Sequence, residues 1–179
     1  TVFANDDNPS ISSNSAILID NNTNKILYSK NENKKMYPAS TTKILTAILT
    51  LENANLNDVV TASYDSVMSI PDGYSTASIE IGEQLTVEQL LQLLLVHSAN
   101  DAANILAEYI GGSIDSFVSM MNTKANELNM QNTHFTNTYG KHDENHYTTA
   151  NDLSILMKYC MKNETFRKIA GSASCAIPS

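Results

Sequence analysis

Two short apolar runs open the patterned part of the chain. Residues 15–20 read Ser-Ala-Ile-Leu-Ile-Asp and residues 25–30 read Lys-Ile-Leu-Tyr-Ser-Lys, each of strand length. Asn21-Asn22-Thr23-Asn24 between them is a cluster of turn formers, so the spacing predicts a β-hairpin. Pro38 then halts extended structure and a helix is expected to begin at Ser40. Ile44, Leu45, Ala47, Ile48, Leu49 and Leu51 make that helix apolar nearly all round, the pattern of a central, buried element. Beyond Leu56 the periodicity turns helical, and the only strand-like stretch is 78–81. Thr86-Val87-Glu88-Gln89 is a capping box ahead of a leucine-rich helix. A second helix is expected over 101–110, ended by Gly111-Gly112. Ser113 caps a third, running to about Leu128, with Phe117, Met120, Met121 and Leu128 at helical spacing. Thr149-Ala150-Asn151-Asp152 reads as another capping box, opening a helix that continues to about Lys162.

The fold class expected is α+β and mostly helical. Residues 1–14 read as a polar, flexible arm. Residues 15–53 carry the hairpin and the buried helix as the N-terminal part of an α/β sub-domain, 54–165 form a helical sub-domain, and 166–179 form a tail.

Composition narrows the function. The 179 residues carry a formal net charge of −8, so a polyanion such as nucleic acid would be repelled and is excluded as a partner. The apolar run 90–96 is far too short to cross a membrane. Val2 and Ala4 fit the small-residue cleavage site of a secretory signal, or equally an ordinary stretch of mature chain. Cys160 and Cys175 could pair in an oxidising compartment, but Cys160 falls on the apolar side of its helix and reads as a buried thiol.

The candidate chemistry lies in two short motifs. Ser40-Thr41-Thr42-Lys43 places a hydroxyl and an amine one helical turn apart on one face. An ammonium on an otherwise apolar helix is partly desolvated, which frees the amine to act as a base for the serine. The alternative is a helix cap followed by a solvated lysine. Ser98-Ala99-Asn100 ends the leucine-rich helix and could bring a second hydroxyl and an amide to that pair, or Ser98 or Asn100 could cap the next helix. His142 and His146 are four apart in a polar stretch that does not match H-E-x-x-H, which gives little support to a metal pair. His97 adjoins Ser98, but neighbouring helical residues point in different directions. Glu127-Leu128-Asn129 lacks the spacing of the deacylating E-x-x-L-N loop and reads as surface. No metal or organic cofactor is called for.

With these motifs placed, the chain resembles the D-alanyl-D-alanine carboxypeptidases, the low-molecular-mass, serine-type penicillin-binding proteins. The resemblance rests on Tyr37-Pro38-Ala39-Ser40-Thr41-Thr42-Lys43-Ile44, on Ile81-Gly82-Glu83 with 90–101, and on Met121-Asn122-Thr123-Lys124-Ala125. It extends through Asn132-Thr133-His134-Phe135-Thr136-Asn137 and His146-Tyr147-Thr148-Thr149-Ala150-Asn151-Asp152-Leu153. It implies a partial penicillin-binding, β-lactamase-like transpeptidase fold. Two departures stand out: the middle motif is Ser-Ala-Asn where the family usually has Ser-Gly-Asn, and no Lys-Thr-Gly or Lys-Ser-Gly occurs among the 179 residues.

The resemblance implies that Ser40 is the nucleophile, Lys43 its base, Ser98 a proton relay, and Asn100 a residue that orients Lys43 and the substrate amide. It implies peptidoglycan stem peptides ending in D-Ala-D-Ala as substrate, β-lactams as acylating mimics, and an extracytoplasmic setting, secreted or attached to the cell envelope. A membrane anchor would belong to a C-terminal part beyond Ser179. Without the Lys-Thr-Gly strand the 179-residue chain is expected to be inactive and prone to self-association. A β-lactamase, or a non-catalytic fragment or binding module of the same fold, stays open beside the carboxypeptidase.

Overall fold

The computed structural model describes residues 9–175. Strands β1 (Ala16–Ile19) and β2 (Ile26–Lys30) form the expected antiparallel hairpin. Ala16 faces Lys30 and Leu18 faces Tyr28, with a bulge between Leu18 and Ile19. The Asp20 carboxylate closes the turn by accepting from the Asn22 and Thr23 N–H groups and the Thr23 hydroxyl, and the Thr23 bonds hold its pKa below the usual value. Asn24 completes the turn at φ 61°. The expected flexible arm lies partly outside the described residues. Within them, the Ile11 and Asn14 carbonyls accept bonds from Lys30 Nζ and Asn31 Nδ2, so 11–14 are tied to the hairpin.

Helix α1 (Thr42–Asn53) is the centre of the molecule. A 3-10 turn, Ala39–Thr41, leads into it. Helices α3 (Val87–Val96), α4 (Asn100–Gly111) and α5 (Ile114–Glu127) pack against it, as do α6 (Ala150–Cys160) and α7 (Glu164–Ala170). Leu45 and Ile48 of α1 meet a core that includes Leu90, Leu94, Leu106, Phe117 and Phe166, each at most 2 % exposed. Each such side chain stabilises the fold by roughly 1.5–3 kcal/mol on burial.

The sequence reading needs several corrections. The stretch 78–81 is not a strand. The second pair of strands is β3 (Val59–Thr61) with β4 (Gln84–Thr86), each three residues long with one buried side chain, too short for a period-2 signal. A five-residue helix, α2 (Tyr64–Met68), lies between them under a Ser63–Ser66 capping box. Thr86–Gln89 is a complete capping box as expected. Thr149 caps α6, but the Asp152 carboxylate does not return the bond; it accepts from Asn132 N–H and Thr133 Oγ1 instead. Residues 166–170 are not tail: α7 spans that boundary and buries Phe166 and Ile169. Cys160 is fully buried and Cys175 is half-buried, both unpaired. Burial pushes the Cys160 thiol up to about 12, as expected of an inert core sulfur.

The hairpin packs on α6 through one face only. Between them runs an apolar groove of about 760 Å³ lined by Ile17, Ile26, Ile44, Leu153 and Met157, and Leu18, Ile26 and Leu27 are about half exposed.

Candidate active site

Ser40 sits in the 3-10 turn, one residue after Ala39 at φ 48° and two before α1 begins. It is not a helix cap, contrary to the capping reading; Thr41 occupies that position and makes no side-chain cap bond. The turn leaves Ser40 exposed and turns Lys43 inward, where it is 3 % exposed. Lys43 Nζ donates to Ser40 Oγ at 3.3 Å and to the Tyr139 carbonyl at 3.1 Å. Both partners are neutral, and burial alone pulls the ammonium from 10.5 down to about 8. A lysine in this state supplies a substantial fraction of free amine at mildly alkaline pH.

Ser98 comes to the same place from the other side. It adopts φ 56°, which turns the chain between α3 and α4 and brings its hydroxyl to donate to Ser40 Oγ at 3.3 Å. Ala99 follows at φ −69°, so a methyl group is accommodated without strain. Neither Ser98 nor Asn100 caps α4; Ala99 is in the capping position. Asn100 is 4 % exposed, and its Oδ1 is the one buried side-chain N or O atom without a hydrogen-bond partner among the described residues. With no protein donor, this oxygen is available to accept from a water or a bound ligand.

The structure thus brings Ser40, Lys43 and Ser98 into direct contact. Asn100 lies two residues from Ser98 with its oxygen unused. A hydroxyl held between an amine and a second hydroxyl, just ahead of a helix N-terminus, is the geometry of an activated nucleophile.

The sequence reading missed the floor of the site. Asn137 Oδ1 accepts from the N–H groups of Gly140 at 2.8 Å and Lys141 at 2.9 Å, which folds 137–141 into a tight turn. That turn presents the Tyr139 carbonyl to Lys43 and the Thr138 carbonyl to Thr46 Oγ1. Gly140, at φ 98°, presses against the Ala39 backbone. The Asn-x-x-Gly pattern was visible as turn chemistry; nothing in it signalled where the turn would dock.

The histidines do not form a metal pair. His142 lies edge-on against Tyr37 with ring centroids 4.4 Å apart, whereas His146 is buried and bonded to Thr42. His97 is exposed, and Glu127 pairs with Lys124 on the surface of α5.

The model of the D-alanyl-D-alanine carboxypeptidase family matches residues 2–174, nearly the whole chain. The chain belongs to this family. A D-alanyl-D-alanine carboxypeptidase of Bacillus subtilis is 39% identical over 163 residues, covering 88% of this chain and 41% of its own length. One from Streptomyces sp. strain K15 is 33% identical, covering 90% of this chain and 58% of its own length. Among solved structures, a D-alanyl-D-alanine carboxypeptidase from Mycobacterium tuberculosis superposes with a TM-score of 0.87 at 31% identity, covering 96% of this chain and 64% of that one. Penicillin-binding protein 5 from Haemophilus influenzae gives 0.84 at 30% identity, covering 90% of this chain and 48% of that one. The chain therefore spans roughly two fifths to three fifths of the curated relatives it matches. Its architecture is that part of the penicillin-binding carboxypeptidase fold.

Proposed function

We propose that this chain carries the nucleophile, base and proton relay of a serine-type D-Ala-D-Ala carboxypeptidase that trims peptidoglycan stem peptides outside the cytoplasm. The observation that carries the reading is the position of Ser40 Oγ, 3.3 Å from both Lys43 Nζ and Ser98 Oγ.

In this mechanism the free amine of Lys43 accepts the Ser40 proton as Oγ attacks the carbonyl of the penultimate D-alanine. The Ser40 N–H, near the N-terminus of α1, faces the developing oxyanion. Ser98 hands its hydroxyl proton to the departing D-alanine amine and takes in its place the proton held on Lys43, which restores the free amine. Asn100 Oδ1, free of any protein donor, accepts from the Lys43 ammonium or the substrate amide. Water then attacks the ester carbonyl, Lys43 takes the water's proton and returns it to Ser40 Oγ as the ester bond breaks, and the carboxylate product leaves. A β-lactam acylates Ser40 by the same first step, because its strained amide takes the place of the D-Ala-D-Ala bond.

The 179 residues contain no Lys-Thr-Gly or Lys-Ser-Gly. By the family resemblance the Lys-Thr-Gly strand supplies the second oxyanion donor and binds the substrate carboxylate, so these 179 residues by themselves are expected to have little carboxypeptidase activity. Losing one oxyanion donor alone costs ~10²–10³ in rate. A β-lactamase is disfavoured, because Glu127 is occupied with Lys124 on the surface of α5 and no E-x-x-L-N loop is present.

The test is to treat a longer form carrying a Lys-Thr/Ser-Gly strand with a fluorescent penicillin and map the adduct by peptide mass. A stable adduct on Ser40, lost in Ser40→Ala, is expected. An adduct on Ser98, or none, refutes the assignment, and rapid nitrocefin turnover would make the protein a β-lactamase.

A further inference from the structure

His146 is a buried histidine that the proposed reaction does not use. It is 1 % exposed, and its ring packs edge-on against Phe135 with centroids 5.5 Å apart. Its two nitrogens have different partners. The Thr136 N–H donates to Nδ1 at 3.0 Å, so Nδ1 carries the lone pair. The proton of the neutral ring is then on Nε2, which donates to Thr42 Oγ1 at 2.8 Å.

The two partners lie on either side of the candidate site. Thr42 is the first residue of α1, immediately before Lys43 and two after Ser40. Thr136 begins the segment whose Tyr139 carbonyl accepts from Lys43 Nζ at 3.1 Å. One imidazole thus joins the start of the nucleophile helix to the segment forming the lysine's floor. The Thr46–Thr138 bond makes a second tie one turn further along α1.

We propose that His146 is a positioning residue: its neutral ring, protonated on Nε2, holds Thr42 and Thr136 in register and so keeps Lys43 buried between Ser40 and the Tyr139 carbonyl. The catalytic consequence rests on the reading of Lys43 as base; the positioning itself does not.

The neighbours of the ring agree with the neutral form. Desolvation lowers the His146 pKa to about 4, outweighing the opposing effect of Asp143, and His134 adds to the lowering. The ring therefore stays uncharged over the whole range in which Lys43 titrates. Lys43 has no carboxylate partner, and burial is the cause of its shift. Any loosening of the tie that admits water raises the Lys43 pKa.

The experiment reads Lys43 directly, by NMR titration of lysine ¹³Cε resonances in the 179-residue chain. Wild type should titrate near about 8. His146→Phe keeps a ring and removes both nitrogens, and Thr42→Val removes the hydroxyl at nearly constant volume. In both, Lys43 should titrate well above about 8, toward the ordinary value near ~10.4. His146→Gln, whose amide offers a donor and an acceptor at similar spacing, should restore the wild-type value. Lys43 titrating as in wild type in folded Thr42→Val or His146→Phe overturns the proposal, and so does His146→Gln behaving like His146→Phe. Should His146→Phe fail to fold, Thr42→Val decides by the same reading. Acylation of a longer form is scored separately. If its wild type is not acylated on Ser40, the proposed function falls while the Lys43 titration still decides the role of His146.

Discussion

Replacing Gly140 by alanine should damage catalysis as well as stability. An added Cβ would sit 1.8 Å from the Ala39 carbonyl oxygen and 2.2 Å from its carbon. Both are backbone atoms, so no rotamer change relieves the contact. The approach must open by about 1.2 Å to reach 3.0 Å, the lower limit for a real Cβ contact. Ala39 precedes Ser40, and Gly140 follows Tyr139, whose carbonyl accepts from Lys43. Opening this contact therefore separates Ser40, the proposed nucleophile, from Lys43, its proposed base, and a misplacement of about 1 Å costs ~10²-fold in rate. The φ of 98° adds backbone strain of about 1–3 kcal/mol. Gly82 provides the control: it has φ 86° but nothing within 4 Å of an added Cβ, so Gly82→Ala carries the strain without the clash. Stopped-flow acylation by a fluorescent penicillin, in a longer form carrying the Lys-Thr/Ser-Gly strand, should fall ~100-fold in Gly140→Ala and little in Gly82→Ala. Thermal unfolding should show the φ strain in both and a further loss in Gly140→Ala from the clash. Equal acylation rates in the two variants would refute the argument that this contact aligns the site.

Four further outcomes follow from the charges and the exposed surface. Lys43→Arg keeps the charge but cannot lose its proton near neutral pH, so acylation should be abolished; a near-normal rate refutes the general-base role. Lys43→Met should stabilise the fold at pH 7 by up to roughly 3 kcal/mol in chemical denaturation, because the unfolded lysine binds its proton more tightly than the folded one, whose pKa is about 8; a loss of stability refutes the desolvation argument. His146 also has a lowered folded pKa, so its contribution is present above the unfolded value of 6.5 and is lost as pH falls toward about 4. His146→Gln should flatten that part of the stability–pH curve, and an unchanged slope counts against the buried neutral ring. The half-exposed Leu18, Ile26 and Leu27 lie on a two-stranded sheet whose outer edges are unpaired among the described residues, so the 179-residue chain should associate with a second copy through its hairpin. Light scattering across a concentration series tests this, and a strict monomer refutes it.

What the sequence made legible followed from strong periodicity and local chemistry. The apolar positions of α1 and the leucines of α3 specify buried helices whatever surrounds them, and Asn21-Asn22-Thr23-Asn24 forms its turn through Asp20 and Thr23 alone. Ser40, Lys43 and Ser98 could be singled out because the spacing puts a hydroxyl and an amine on one helical face beside a second Ser-x-Asn motif, and the structure brings the three side chains within hydrogen-bond distance. The short strands β3 and β4 were not, since one buried side chain per strand leaves no pattern to detect. Nor was α7, whose core contacts come from Phe166 and Ile169 alone. The floor of the site was hidden for a different reason. Tyr139 acts there through its carbonyl, and Gly140 through lacking a side chain, so neither residue type announces the role.

The backbone itself distinguishes the site from its surroundings. Six described non-glycine residues have positive φ. Asn24, Asn31 and Asn129 belong to the residue type that tolerates this region best, and Asn24 closes the hairpin turn. Of the other three, Ser78 lies in the loop before β4, whereas Ala39 and Ser98 belong to the candidate site. Each lies in a turn where its neighbours approach another chain segment: Ala39 against Gly140, and Ser98 against Ser40. Sparsely populated conformations of this kind cost about 1–3 kcal/mol each and persist only where the surrounding structure over-determines them. The same few residues include a lysine kept out of water and an asparagine oxygen with no donor. The buried lysine is destabilising by itself, and Lys43 and Ser98 both bond to the Ser40 hydroxyl. The large core around α1 supplies the stability against which this local cost is set. Relief of any one of these features, by lysine to methionine at 43 or by a donor supplied to Asn100, should therefore stabilise the protein. Only the bound donor should do so without loss of the reaction.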